Sequence, residues 1–317
     1  MIAYPAMTTG PIRQWTEFLR RWFSAIFSID VWNIGIVEVD FETLLAGGSF
    51  TSVIWSPNNR LFVSAADPFI WRQDGMPRVI YEHLQHFSGR GHICSVPLEG
   101  IASGVTPRVE ICAPHHLSYP STVVDGNQTW CIPEAADSGR VVLYAWLPAA
   151  RVWQRSTAIL EHPLLDPTVV RKDHRWYLFG VAPNESSNSL LRLFLAESLT
   201  GPWSEHPISP IKIQTGAARS AGAFFEYHGS LYRPSQANHK GYGCELRINR
   251  VMHLTPDSYL EIEQARVVPD RDSTYPSGLH TLALFGKYAV VDGKRRQWHG
   301  LAWLAKLLWA VRCQHFN

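Results

Sequence analysis

The chain has 317 residues, is 46% hydrophobic and 18% charged, and carries a formal net charge of +2. That length suits one large domain or two small ones, with a composition typical of a sizeable globular core. The near-neutral balance and the lack of any nucleic-acid motif exclude nucleic acid as the expected partner. Five cysteines with no CxxC pair predict reduced, buried thiols in a cytoplasmic protein, alternatively one associated with a membrane. Thirteen tryptophans fit an aromatic-lined sugar site and ordinary sheet packing equally well.

Residues 1–10 have no periodicity and are expected to be disordered. From Ile12 to Ser28 the apolar residues Trp15, Leu19, Trp22, Phe23 and Ile26 fall at helical spacing, with basic charge from Arg13, Arg20 and Arg21. Two readings apply: a membrane-surface or partner helix, or a helix docked on its own domain, the second being favoured. No signal-peptide pattern precedes it, and the run from Trp22 to Phe27 is too short to span a bilayer. The glycosylation sequons at Asn127 and Asn184 are short enough to be accidental.

Residues 32–39 and 51–55 read as strands, with a turn at Gly47-Gly48 between them. A repeat follows. Ala66-Asp67-Pro68-Phe69-Ile70-Trp71 returns as Leu165-Asp166-Pro167-Thr168-Val169-Val170, with an acid-free relative, Tyr119-Pro120-Ser121-Thr122-Val123-Val124, between them. Each copy opens a hairpin. A fourth unit begins at residues 220–225 and a fifth at 278–283, giving a spacing of roughly fifty residues that marks propellers and arrays. Five units of about four strands each predict an all-β, five-bladed β-propeller. The fifth unit is short of strands after Asp292, so residues 32–39 and 51–55 are expected to complete it and close the ring, which also protects sheet edges. Residues 298–311 are again helical in spacing, with Trp298, Leu301, Ala302, Leu304, Ala305, Leu308 and Trp309 on one broad face. The resulting division is 1–30 for an N-terminal tail and amphipathic helix, 31–296 for the propeller and 297–317 for a C-terminal amphipathic helix. The two helices are expected to pack side by side; left exposed, they would offer a peripheral membrane or oligomer contact.

In a propeller the start of each innermost strand points toward the axis, so Asp67 and Asp166 are expected to converge. Proline after each removes a backbone donor where that loss is tolerated. Facing carboxylates are what glycoside hydrolysis uses: one works as base or nucleophile while another group protonates the leaving oxygen. The competing reading is that each aspartate caps a turn. Two copies at equivalent places favour chemistry.

The Asp-Pro strand starts resemble the five-bladed propeller glycosidases of the family 43 and family 32 type. More specifically, the chain resembles the amino-terminal propeller domain of plant glucosamine inositolphosphorylceramide transferases and their bacterial relatives. The stretches that carry this are Trp32-Asn33-Ile34-Gly35, Ala66-Asp67-Pro68-Phe69, Ile132-Pro133-Glu134-Ala135, His162-Pro163-Leu164-Leu165-Asp166-Pro167-Thr168, Tyr232-Arg233-Pro234-Ser235-Gln236 and Gly278-Leu279-His280-Thr281-Leu282. In the plant proteins sugar transfer belongs to a separate carboxy-terminal domain outside the resemblance, so the transferase activity is not carried over. The glycosidase resemblance implies Asp67 as general base and Asp166 as the aspartate that orients substrate and tunes the acid. It also implies a glutamate acid at the start of the fourth blade, where this chain reads Ala218-Arg219-Ser220-Ala221-Gly222.

Two glutamates stand in for that acid. Glu134 is preferred, against a turn pairing with Arg140; Glu245 is the other, against an outward place on a strand. Arg219, Gln236, His239, Tyr242 and His280 are expected to line the rest of the site. Arg219 either binds a substrate carboxylate or phosphate or neutralises Asp67 or Asp166. His280 either meets a sugar hydroxyl or is structural. His115-His116 lacks a spaced third ligand, so no metal and no cofactor is expected. The function expected is glycoside hydrolase-like, on a carbohydrate or glycoconjugate. The alternatives are a transferase domain whose Arg219 and Lys240 hold an activated sugar's phosphate, and a non-catalytic glycan-binding domain.

Overall fold

The structure, a computed structural model, describes residues 15, 22–57, 60–183, 185, 189–213 and 217–313. The segment expected to be disordered and most of the first predicted helix lie outside the described residues, of which 22–27 are helical.

Five antiparallel sheets stand around an axis as blades. The first is built from Val63–Gln73, Met76–Gln85, Arg90–Pro97 and Arg108–Ile111, and the second from Ser118–Asp125, Gln128–Glu134, Val141–Leu147 and Val152–Leu160. The third runs Leu165–Lys172, Arg175–Val181, Leu190–Ala196 and Ser204–Glu205. The fourth comprises Phe225–Tyr227, Ser230–Ala237, Glu245–Leu254 and Tyr259–Val268, with Gly48–Ser49 added in parallel on the outer edge. The fifth joins both ends of the propeller. Leu282–Phe285 and Tyr288–Trp298 pair with Ser28–Glu38, which in turn pairs with Ile54–Trp55. The early strands close the ring as the shortfall after Asp292 predicts, although the first is longer than residues 32–39.

The core is divided into wedges between successive blades. Trp71, Trp146 and Trp153 pack against one another between blades one and two, with ring centroids 4.5–5.5 Å apart. Ile132, Leu143, Trp176 and Leu178 fill the next wedge, and Tyr177, Phe179, Leu193 and Tyr259 the one after. Sheet packing thus takes up much of the tryptophan content.

Three local expectations change. The fourth unit's first strand is only Phe225–Tyr227, with Ser220 reduced to a single bridge to Ser235. The reason is Gly222, whose φ of +128° and approach to the Leu282 carbonyl bend the chain away from a ladder; a Cβ there would lie 2.0 Å from that oxygen. The fifth unit's first strand starts at Leu282, so His280 sits on the segment leading into it. A short helix, Phe41–Ala46, also occurs where a plain turn was expected. Asp40 caps it by accepting from Thr43 N at 2.7 Å. Of the described cysteines, Cys94 and Cys131 are buried free thiols, whereas Cys112 is exposed and Cys244 half-buried, so the expectation of burial holds for only part of the set.

At the C terminus the helix is Ala302–Cys313. Ala302 and Ala305 are buried with Ile29, Val31 and Phe62, but Trp298, Leu301, Leu308 and Trp309 are exposed, so the predicted broad face does not dock as a unit. No helix among the described residues is long and apolar enough to cross a membrane.

Candidate functional site

The repeated X-Pro pairs mark one device. Asp67, Tyr119 and Asp166 all have left-handed φ, at 53°, 43° and 49°. Each falls where the innermost strand slips register against its neighbour, between Ala66 and Phe69, Ser118 and Ser121, and Leu165 and Thr168. These are β-bulges, which re-aim a side chain, and the proline that follows has no N–H to leave unpaired. Aspartate tolerates this conformation better than most residues. The bulge turns the X side chain to the axis.

A second ring of polar residues lies one strand further out. Ala66 faces Glu82 across the first blade and Ser118 faces Glu134 across the second. In the third blade Val181 takes the corresponding place opposite Leu165. Gln236 and Asp292 also project from second strands. Two of these carboxylates hold the bulge of the next blade around: Asp166 N donates to Glu134 Oε2 at 2.8 Å, and Asp67 N donates to Asp292 Oδ2 at 3.1 Å.

Around Asp67 the partners come from blades two and five. Thr281 Oγ1 donates to Oδ1 at 3.0 Å and Tyr119 N to Oδ2 at 3.2 Å. His280 stands between two acids, with Nε2 3.4 Å from Asp67 Oδ1 and Nδ1 2.6 Å from Asp292 Oδ2. Asp292 also accepts the backbone N–H groups of His280 and Thr281. Burial pulls the imidazole toward neutrality, but Asp292 and Asp67 outweigh it and hold its pKa above the ordinary value. The indole of Trp32 lies over the His280 ring at 3.9 Å.

Around Asp166 the grip is tighter. Arg219 forks onto it, Nε to Oδ2 at 2.6 Å and a terminal nitrogen to Oδ1 at 3.0 Å, and Gln236 Nε2 adds a third donor at 2.8 Å. Arg219 therefore takes the neutralising role of its two expected ones. Its other terminal contact is Glu134 Oε2 at 3.8 Å. Glu134 does not pair with Arg140, which bonds Glu161 instead.

Tyr119 forms a floor beneath these groups. Its hydroxyl receives Gly222 N at 2.8 Å and meets Thr168 Oγ1 at 2.9 Å, tying blades two, three and four across the axis. On the open side, Tyr242 is 46% exposed, with Arg219 over its ring and His280 and Trp32 against its edge. Side-chain exposure rises from 3% at Asp166 and 7% at Asp67 to 12% at Glu134 and 14% at Arg219. Solvent thus reaches the site past Glu134, Arg219 and Tyr242.

The carboxyls of Asp67, Asp166, Asp292, Glu82 and Glu134 share this region with the Arg219 guanidinium and the His280 imidazole. Such an excess of buried acid retains protons. Burial, then Asp166, pushes Glu134 up to about 8 despite Arg219. Burial also raises Asp67 to about 6, with His280 pulling back and Asp292 and Asp166 adding to the rise. Glu82 is likewise raised, chiefly by burial.

Other expected residues lie beside this cluster. Glu245 is buried rather than outward, held by Arg247 at 3.0 Å, and His239 reaches Cys244 Sγ at 3.7 Å. Lys240 is exposed. His116 Nε2 lies 3.3 Å from Glu82 Oε1. Ligand-type groups gather elsewhere, as Asp67–His280–Asp292 and as His239–Cys244–Glu245, each within 4.8 Å. In the first set, the acids and the imidazole already contact one another. A cavity of about 570 Å³ lined by Asp74, Arg78, Arg151 and Tyr288 lies at the opposite rim.

Sequence reasoning missed Glu82, Asp292, Thr281 and Trp32 as members of the site. Trp32 and Thr281 stand in family-like stretches, and Asp292 stands in another such stretch, Val291-Asp292-Gly293-Lys294-Arg295. Glu82 is visible only through its cross-strand place opposite Ala66.

Comparison with known proteins places this geometry. The chain is 28% identical over 247 residues to glucosamine inositolphosphorylceramide transferase 1 of rice (Oryza sativa subsp. japonica), covering 73% of this chain and 33% of that protein. The Arabidopsis thaliana protein of the same name is 28% identical over 207 residues, covering 62% and 27%. The chain thus spans about a third or less of the length of these relatives. Among solved structures, an exo-β-1,3-galactanase of Clostridium thermocellum superimposes with a TM-score of 0.50 at 10% identity, over 70% of this chain and 52% of that one, a likeness of fold alone. Residues 50–274 match the family described as glucosamine inositolphosphorylceramide transferase 1, N-terminal, and the chain belongs to that family.

Proposed function

We propose that the axial site works on a carbohydrate or glycoconjugate, in the manner of a glycoside hydrolase. Glu134 is the proton donor, Asp67 the opposing base or nucleophile, and Asp166 the carboxylate that orients the substrate and tunes Glu134. The observation that carries this is the divergence of two carboxyls in one site: near neutral pH Glu134, at about 8, keeps its proton while Asp67, at about 6, has mostly given its own up. Glu134 is also the more accessible of the two, which suits the group that must reach a leaving oxygen. The name of the plant relatives points to a sugar attached to an inositol phosphate lipid, so glycolipids belong among the substrates tried.

The test is turnover of aryl glycosides, oligosaccharides and glycosyl inositol phospholipids by the whole chain, its Glu134→Gln form and its Asp67→Asn form. Loss of the acid or base should lower turnover by about 10²–10⁴-fold. Turnover that survives both substitutions would sink the assignment. A second reading has its own support: Asp67 and Asp166 already accept internal donors on both oxygens, as a purely structural scaffold for glycan binding would require. Glycan affinity without turnover, unchanged in Asp67→Asn, would select it. The activated-sugar reading is weakened because Arg219 is committed to Asp166.

A further inference from the structure

The helix Ala302–Cys313 is built inside out. Its small residues Ala302 and Ala305 face the propeller, while Trp303, Leu307, Leu308 and Val311 face outward and are each 40–51% exposed; Trp309 continues the alanine stripe toward Gly89 and is still 43% exposed. A helix that only packs on its own domain turns its bulky apolar residues inward. Beside it, Trp22 and Phe23 are also more than half exposed, and Phe23 stacks on Trp298 at 6.0 Å. The Lys306 ammonium bonds the Ala25 carbonyl, joining the two helical segments. The result is one continuous apolar surface, rich in tryptophan, already assembled on the fold.

Charge selects what covers it. Lys306 lies on the helix, and Arg295 and Arg296 lie on the adjoining strand; Asp30 beside them pairs with Arg296 at 3.3 Å, and from Gly293 to the last residue the sequence has no aspartate or glutamate. A second copy would set the same basic patch against itself, which is unfavourable. An anionic leaflet supplies opposite charge at its surface and an apolar layer beneath, and tryptophan suits the boundary between them. The placement is also telling. Ser28 pairs with Trp298 at the end of blade five away from the Glu38–Tyr288 pair, and the helix packs on Phe62 just before Val63, which pairs with Gln85. That is the face toward which the axial carboxyl groups open, because the hairpin turns at Gln73–Met76 and Phe285–Tyr288 lie on the other.

We propose that the terminal helical segments are a docking surface for an anionic lipid leaflet, lying flat in its interface, with the axial site turned toward the headgroups. This goes beyond the chemistry assigned to Glu134 and Asp67 and is read without any glycan, so failure of one leaves the other standing.

The experiment is co-sedimentation of the full chain with phosphatidylcholine vesicles, with and without ~30% phosphatidylserine, alongside its tryptophan emission. The wild type should sediment with the anionic vesicles, shift its emission to the blue and release as salt is raised. The double variant Trp303→Glu, Leu307→Glu alters only outward side chains; with its circular dichroism unchanged, it should bind roughly tenfold more weakly or worse. Failure of the wild type to bind, or equal binding by the variant, overturns the proposal. So does a concentration-dependent dimer that the variant abolishes while vesicle binding stays absent. Should the double variant misfold, Leu307→Lys alone keeps the patch basic while removing apolar surface, and it must weaken binding as well.

Discussion

Replacing Glu134 by glutamine removes one titrating carboxyl from the buried acid cluster. The native state keeps the Glu134 proton up to about pH 8, while the unfolded chain releases it near 4.5. Between those values the folded form binds more protons than the unfolded one, so stability falls as pH rises. Each pH unit of such a gap corresponds to about 1.4 kcal/mol, which sets an upper bound of roughly 4–5 kcal/mol by pH 8. Asp67 is raised in the same cluster and shares protons with Glu134, so about 2–3 kcal/mol is the working figure. Glutamine keeps an acceptor for the Asp166 N–H and never ionises. Urea unfolding of wild type and Glu134→Gln at pH 5, 7 and 9 gives the comparison; their difference reports Glu134 together with the response of the acids coupled to it. The two should be nearly equal at pH 5, where Glu134 is protonated anyway, and the variant should gain at pH 7 and again at pH 9. Parallel profiles, or a variant less stable at pH 9, would show that Glu134 is an ordinary ionised partner of Arg219.

Tyr119→Phe removes the hydroxyl that receives Gly222 N and meets Thr168, leaving a buried N–H without its partner; a loss of about 1–3 kcal/mol is expected in equilibrium unfolding. An unchanged midpoint would mean that the floor across the axis is not stabilising. At Gly222→Ala the new Cβ meets the Leu282 carbonyl in a left-handed backbone, so a cost of roughly 3 kcal/mol or more is expected, seen as a lowered melting temperature or poor soluble yield. A mild effect there would place the fourth and fifth blades further apart than described.

Asp67, Tyr119 and Asp166 were legible as one repeated position because the device that turns them inward is local: a bulge followed by proline leaves an X-Pro trace in the chain. Their partners follow a different rule. Glu82 and Asp292 belong to the site only through cross-strand register and through the neighbouring blade, neither of which leaves a local pattern. Glu134 was reached through a family-like stretch, and the competing pairing with Arg140 failed because Arg140 turns to Glu161. His280 was placed near the axis, but its position between two carboxylates depends on a strand that begins four residues later than the predicted start at 278. At the C terminus, helical spacing gave the helix but not its docking side. A sequence apolar nearly all round does not say which stripe faces inward, and here the alanines do, since only a small side chain lets the helix lie close to Ile29 and Val31.

The strand Ser28–Glu38, locked between Tyr288–Trp298 and Ile54–Trp55, fixes an order of events. Residue 28 emerges from the ribosome long before residue 298, and until the later strand exists the earlier one has only the two-residue strand Ile54–Trp55 to pair with. Four blades can assemble from neighbouring hairpins as they appear, but the circle shuts last, through contacts of nearly the greatest separation the chain allows, and such contacts form slowly. The stretch matched by the family begins at residue 50, past this strand. A fragment cut at that boundary would keep the carboxylates of blades one to three yet present Tyr288–Trp298 as a bare edge, open to pairing with other chains. The span that matches the family is therefore shorter than the span that folds.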